Sequence, residues 1–424
     1  MAEPDEKAIL VPASGMEISL KQKFFYFFPV LLCFCLPFGS LLLSGIVTAW
    51  FVYSFFCIDK EQFKKGIRNK FFIVPVLFFF LTLISALLSQ NKEEALFSIE
   101  IKLTLLIFPF LFFCFKWSLN ILKRCVISFV SGCFFACLYL IARAFMYASN
   151  GQSEYFFYSL FSDFIHASYF AMYLILAITF VIVLYNKWFS TQKSIIYSSY
   201  FFVSIFITCI FLCSSKLGII SFFICLPILV LYRLKEYLNL SRTIILAVSF
   251  LALIVIAAKL FPESFQRMNS ITSLDTDHID KTSSESTTVR VLIWKECISI
   301  IKEHPIFGTG VGDANDALYK AYEKDGLSGA FEHIFNAHNQ YFQTLIGLGI
   351  TGFIFLFLMT IGLFILAIRK KHFLLLIFSI LIILNFAVES MLQKSAGILF
   401  FMFFYCLFNL VSEKELLIST REEA

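Results

Sequence analysis

A chain of 424 residues that is 59% hydrophobic, 18% aromatic and only 15% charged carries more apolar surface than a soluble domain can bury, so the sequence describes a polytopic membrane protein. The formal net charge of +5 weakly favours an anionic partner, and no nucleic acid is expected among its partners. The twelve cysteines lie in apolar runs, with the exception of Cys297; this excludes a disulfide framework in the polar part of the chain, and no Cys/His spacing resembles a zinc site.

The N-terminal tail, residues 1–22, is polar and mixed in charge. It lacks the basic start, short apolar core and small-residue cleavage site of a removable signal peptide, so the first apolar run is expected to be retained. Spanning the hydrocarbon takes about 20 apolar residues, fewer for a short helix. On that rule the sequence offers about twelve spans, near Phe24–Leu36, Leu41–Phe56, Phe71–Leu88, Leu103–Phe115, Cys125–Tyr147, Ala167–Tyr185, Ile195–Cys213, Leu217–Tyr232, Ile244–Leu260, Tyr341–Ile368, Phe373–Val388 and Ala396–Val411. The first two read as one hairpin broken at Pro37-Phe38-Gly39.

Lys and Arg collect in alternate loops, at Lys60, Lys64, Lys65, Arg68 and Lys70, at Lys116, Lys123 and Arg124, at Lys187 and Lys193, at Arg233, Lys235 and Arg242, and at Arg369, Lys370 and Lys371. Short cytoplasmic loops retain positive charge, so both termini are predicted inside, and the nine spans of residues 23–260 and three of residues 341–411 leave residues 261–340 as one large outer loop. Residues 412–424 form the second inner tail. The predicted class is therefore an all-α membrane protein with about twelve spans and an outer loop carrying short helices.

Within that loop, Asn269–Thr288 is rich in Ser, Thr and Asp and reads as unstructured. From Val289 to Glu303, Val291, Trp294, Ile298 and Ile301 recur at helical spacing, and His304-Pro305 should end the helix. Gly308-Thr309-Gly310-Val311-Gly312 reads as a turn and not as a phosphate loop, since it matches neither dinucleotide nor Walker patterns. Asp313 is placed to cap a second helix through about Glu323, broken at Asp325-Gly326.

The polar segment runs into its following span through Asn336-Ala337-His338-Asn339-Gln340-Tyr341-Phe342-Gln343. A histidine between amides at the mouth of a membrane helix is a functional candidate by default, against the plainer reading of a helix cap. Upstream, Arg290 and Trp294 precede Pro305-Ile306-Phe307-Gly308-Thr309-Gly310, and His338-Asn339-Gln340-Tyr341 is followed by Gly347, Gly349 and Gly352. In order, spacing and predicted topology this resembles the O-antigen ligase and polymerase superfamily, membrane glycosyltransferases of GT-C-like architecture that use sugars on undecaprenyl pyrophosphate.

The resemblance implies catalytic roles for Arg290, contacting the pyrophosphate, and His338, taking or orienting the acceptor hydroxyl's proton, with no metal or other cofactor. It implies a cation at Lys216, where the family often has Ser-Arg-Gly and this chain has Ser215-Lys216-Leu217-Gly218. Lysine offers phosphate a point charge without the bidentate fork, and the plainer reading is a lysine snorkelling to the interface. His166 begins a span, as a histidine does at a corresponding position of the family, and is a second-site candidate beside the plainer reading of simple helix entry. Asn339 and Gln343 share a helix face and either read sugar hydroxyls or satisfy the loop backbone; Tyr341 suits the lipid boundary. The three glycines suit close helix packing. Glu389 interrupts an apolar run and needs a cation, Lys394 or Arg290. Glu100 and Lys102 read as interface charge.

The implied partners are an undecaprenyl-pyrophosphate-linked glycan donor, a lipid A-core or lipid-linked glycan acceptor, and membrane lipids, at the periplasmic face of a bacterial inner membrane. A ligase is favoured over a polymerase of the same superfamily. Metal-dependent oligosaccharyl transferases are disfavoured, because they carry acidic residues in a first outer loop where this chain has Phe38–Ser40. A polysaccharide or lipid transporter is the alternative of another class; it would place its polar groups at mid-membrane on broken helices.

Overall fold

A computed structural model describes residues 10–11, 19–185, 188, 193–234, 237, 239–262, 265, 281–282 and 286–417. Among them, seven helices are long and apolar enough to cross a membrane: Leu20–Phe38, Lys70–Leu88, Lys92–Phe113, Leu119–Ala148, Ala167–Tyr185, Lys216–Leu234 and Gln340–Lys370. Five shorter apolar helices accompany them, at Leu42–Cys57, Tyr197–Leu212, Val248–Leu260, Phe373–Val388 and Ser395–Leu410. Each overlaps one predicted span, and the all-α polytopic class holds. A two-residue parallel pairing of Leu10–Val11 with Trp117–Ser118 is the only sheet among the described residues.

One span begins earlier than its composition suggests. Apolar length alone puts the fourth at Leu103–Phe115, but the apolar unit is Lys92–Phe113, because Glu93, Glu94, Glu100 and Lys102 dilute the hydropathy of a helix that continues through them. Lys102 is consequently not an interface charge. It is 3% exposed, and its ammonium donates to Ser98 Oγ one turn back at 2.6 Å.

The chain divides into two compact units. The second comprises Tyr26–Ile46, Asn120–Asn269 and Glu413–Ala424. Its centre is the fully buried Ala167–Phe180 helix, which packs on Lys193–Leu212 and on Lys216–Leu234. Gly218 makes the latter contact possible, since a Cβ there would lie 2.6 Å from Ala171 Cβ.

The first unit comprises Met1–Phe25, Val47–Leu119 and Ser270–Ser412. Lys70–Leu88 packs along Gln340–Met359, with Phe78 stacked on Phe355, and Ser395–Leu410 packs along Thr104–Phe113 through Phe403 against Phe108 and Phe112. The polar segment belongs to this unit. Most of Asn269–Thr288 lies outside the described residues. Beyond it, helices Ser286–Glu303, Ala314–Asp325 and Ser328–Glu332 close over one core that includes Ile293, Cys297, Leu318 and Tyr322.

The first of these helices buries a different face from the predicted one. Val289, Ile293, Cys297 and Ile300 point into the core, while Trp294 and Ile301 lie at its edge, Val291 is half-buried and Ile298 is exposed. Two apolar stripes of the same period compete in this sequence, and packing against the second helix selects the one containing cysteine. The second helix ends at Gly326, whose left-handed φ of 67° terminates it as predicted.

Asp313 stands at the head of that second helix but does not cap it. Its carboxylate accepts from the backbone of Gln90 at 2.9 Å and Asn91 at 2.8 Å, at the turn between Lys70–Leu88 and Lys92–Lys102. Asn91 in turn donates to Asp316 at 2.9 Å. The polar segment is thus bolted to the end of a membrane hairpin. Asp313→Ala strands two backbone donors and is expected to cost about 1–2 kcal/mol, read as a lowered thermal midpoint in detergent.

Candidate active site

The site is built at the head of the Gln340–Met359 helix. Asn339 caps it: its Oδ1 accepts from Tyr341 N at 2.9 Å and Phe342 N at 3.1 Å. The other end of the same amide donates to Ala387 O at 2.8 Å, tying this helix head to the end of the Phe373–Val388 helix. Glu389 immediately follows that end, so a single asparagine brings Glu389 and His338 to one place.

The backbone around His338 is held on both sides. Ala337 N donates to Gln343 Oε1 at 3.0 Å, Ala337 O accepts from Trp294 Nε1 at 3.0 Å, and His338 N donates to Asn336 Oδ1 at 2.9 Å. These bonds keep His338 at φ 43°, a left-handed conformation rare for a side chain this size and concentrated at functional sites. The imidazole stands edge-on to Phe335, with ring centres 5.1 Å apart.

Arg290, in the second turn of Ser286–Glu303, completes the group. Its Nη2 donates to Glu389 Oε1 at 2.8 Å, and the other carboxylate oxygen, Oε2, lies 3.7 Å from His338 Nδ1. Side-chain exposures of 20%, 12% and 25% for Arg290, Glu389 and His338 leave the group screened from water yet reachable. One carboxylate therefore stands between a guanidinium and an imidazole. With its proton on Nδ1, facing Glu389, the imidazole presents Nε2 as the proton acceptor.

Of the residues singled out in the sequence, the structure joins Arg290, His338 and Glu389. Of the two partners considered for Glu389, Arg290 is the one bonded. Asn339 and Gln343 serve the protein's own framework: Gln343 is buried, accepting from Ala337 N and donating to Asn315 Oδ1 at 3.1 Å. Tyr341 sets its ring against Phe353 and Phe386. The second unit holds the remaining two. Lys216 is half-buried at the first turn of Lys216–Leu234, after Ser214 with its φ of 46°, and His166 is exposed ahead of Ala167–Phe180 with Nδ1 2.7 Å from Ser168 Oγ. The Gly218–Ala171 contact brings these two helix heads together.

Gln340 was missed. It is buried and accepts from Leu392 N at 2.7 Å, bracing the turn that follows Glu389. A glutamine at the first position of an apolar helix was the available signal. The Gly308–Gly312 stretch is a turn, and its N–H groups are engaged within the protein: Thr309 and Gly310 donate to Ile346 O and Gly347 O, and Val311 and Gly312 to the hydroxyls of Ser85 and Ser89.

Comparison with curated proteins finds no match. A family model does match over part of the chain: residues 201–357, which include Lys216, Arg290 and His338 and stop short of Glu389, fit Wzy_C, O-antigen ligase, in keeping with the superfamily that the motifs resemble.

Proposed function

We propose that the protein is a glycosyltransferase of the ligase type, moving a glycan from undecaprenyl pyrophosphate to a hydroxyl of lipid A-core at the periplasmic face of the inner membrane. The observation carrying this reading is the double contact of Glu389, with Arg290 on one oxygen and His338 beside the other. His338 Nε2 takes the proton of the acceptor hydroxyl as that oxygen attacks the anomeric carbon. The bond from that carbon to the diphosphate breaks, and the electron pair leaves on the diphosphate.

Glu389 holds the imidazole in register and stabilises the charge it gains, as second carboxylates do for catalytic histidines. Arg290 meets the charge developing on the leaving diphosphate, for which a planar guanidinium fixed by a carboxylate is suited. The motif position of Lys216, and not its place in the fold, is the ground for assigning it a further cation toward the donor. Lipid diphosphate departs with its own charge, so fixed cations do the work elsewhere done by a divalent metal.

The test is the glycan profile of cells carrying Arg290→Ala. Full-length glycan left on the carrier beside bare lipid A-core is the expected result; accumulation of single repeat units would instead assign polymerisation, and an unchanged profile would remove Arg290 from the reaction. In membranes of wild-type cells, chelation with EDTA is expected to leave transfer intact. Lys216→Arg should keep activity that Lys216→Ala loses.

A further inference from the structure

The Gln340–Met359 helix is broken at Gly349, where φ is 60° and ψ is −157°. A break of this kind frees backbone groups inside a span, and hydrocarbon offers them no partners. Here the turn from Pro305 supplies them. Ile346 O and Gly347 O accept from Thr309 and Gly310, while Ile350 N and Thr351 N donate to Pro305 O at 2.9 Å and Ile306 O at 3.3 Å. Two strained glycine-rich segments therefore complete each other's hydrogen bonding.

The level of this turn is fixed by the helices that hold it. Val311 and Gly312 donate to Ser85 and Ser89, at the end of the apolar Lys70–Leu88 helix, and Ile350 lies ten residues past the head of its own span. At that level both helices carry exposed apolar side chains, Ile84 and Leu88 on one and Ile350 on the other. The turn continues the same surface with Ile306, 56% exposed, and Phe307, 71% exposed. Immediately before them, Lys302, Glu303 and His304 are exposed and polar, so the chain changes from water-facing to apolar within three residues.

We infer that Pro305–Gly310 is a re-entrant wedge, with Ile306 and Phe307 immersed among the hydrocarbon chains of the leaflet at the Leu88 end, and not part of the aqueous loop in which the sequence reading put it. Non-helical backbone survives at that depth because its polar groups are consumed by the broken helix. The wedge directly follows the helix carrying Arg290, so it fixes the height of that arginine above the lipid.

The test uses the full chain in nanodiscs of phosphatidylethanolamine and phosphatidylglycerol, with a water-soluble maleimide as probe. Cys57→Ser supplies the background: the other native cysteines are buried, and burial pushes the thiol of Cys297, in the polar segment, upward. Lys302→Cys and Lys324→Cys, both at exposed positions, are expected to label readily. Phe307→Cys is expected to label about tenfold more slowly or less, the effect of a one-unit rise in thiol pKa in apolar surroundings. Equal rates at positions 307 and 324 would overturn the proposal. Cover by protein is distinguished from cover by lipid with Phe307→Trp in nanodiscs whose acyl chains carry bromine: quenching of the added fluorescence is expected, and its absence would sink the inference even if labelling is slow.

Discussion

Replacing His338 with asparagine is expected to abolish transfer while leaving the protein as stable as before. The position is held at φ 43°, which asparagine tolerates well and alanine tolerates poorly, at a cost of about 1–2 kcal/mol. Comparing His338→Asn with His338→Ala therefore separates chemistry from fold. Both should lose the contribution of a positioned base, about 10²–10⁴ in rate, whereas only the alanine variant should lower the thermal midpoint. Glu389→Gln is expected to act through the same group, and the double variant His338→Asn/Glu389→Gln should be scarcely slower than the slower single, since residues working as a unit are not additive. Transfer from purified lipid-linked glycan, measured at fixed protein concentration, reads all four. A wild-type rate in His338→Asn would exclude the imidazole as base.

How far the site was legible follows from where its contacts come from. His338 and Arg290 stood out because each lies in a short local pattern. Glu389 was visible as an acid that interrupts an apolar run and needs Lys394 or Arg290, but the bond to Arg290 joins residues 99 positions apart, and no spacing rule chooses between the two cations across that interval. Spans were legible from apolar length, except where the charges between Lys92 and Lys102 masked a helix that tertiary packing sustains. The buried face of Ser286–Glu303 was misjudged for a related reason: Arg290 and Trp294 occupy the stripe that faces the site, so the core takes the other. Asp313 has the chemistry of a cap and the position of a cap, yet a neighbouring hairpin claims its carboxylate.

Gly349→Ala should be the most damaging small substitution in the protein. The region near φ 60° and ψ −157° is essentially reserved to glycine, and holding another residue there costs about 1–3 kcal/mol before any contact is counted. A Cβ at Gly349 would also lie 2.3 Å from Ile306 O and 2.6 Å from Phe307 N, so the Pro305–Gly310 turn has to leave the helix. With it go the backbone bonds that satisfy the break, and the sum should exceed about 4 kcal/mol, the range reached only by a few mechanisms. The glycines of the second motif were expected to let helices approach; the partner that approaches Gly349 is this turn. Gly308→Ala meets the same surface from the other side, with a Cβ 2.4 Å from Ile346 O, so the double variant should be far less than additive. Gly326→Ala provides the control, since it shares a left-handed φ but has open space around its Cβ, and should cost about 1 kcal/mol. Thermal unfolding in detergent distinguishes these cases. Equal losses at positions 326 and 349 would mean that backbone strain alone matters and that the turn does not hold the broken helix.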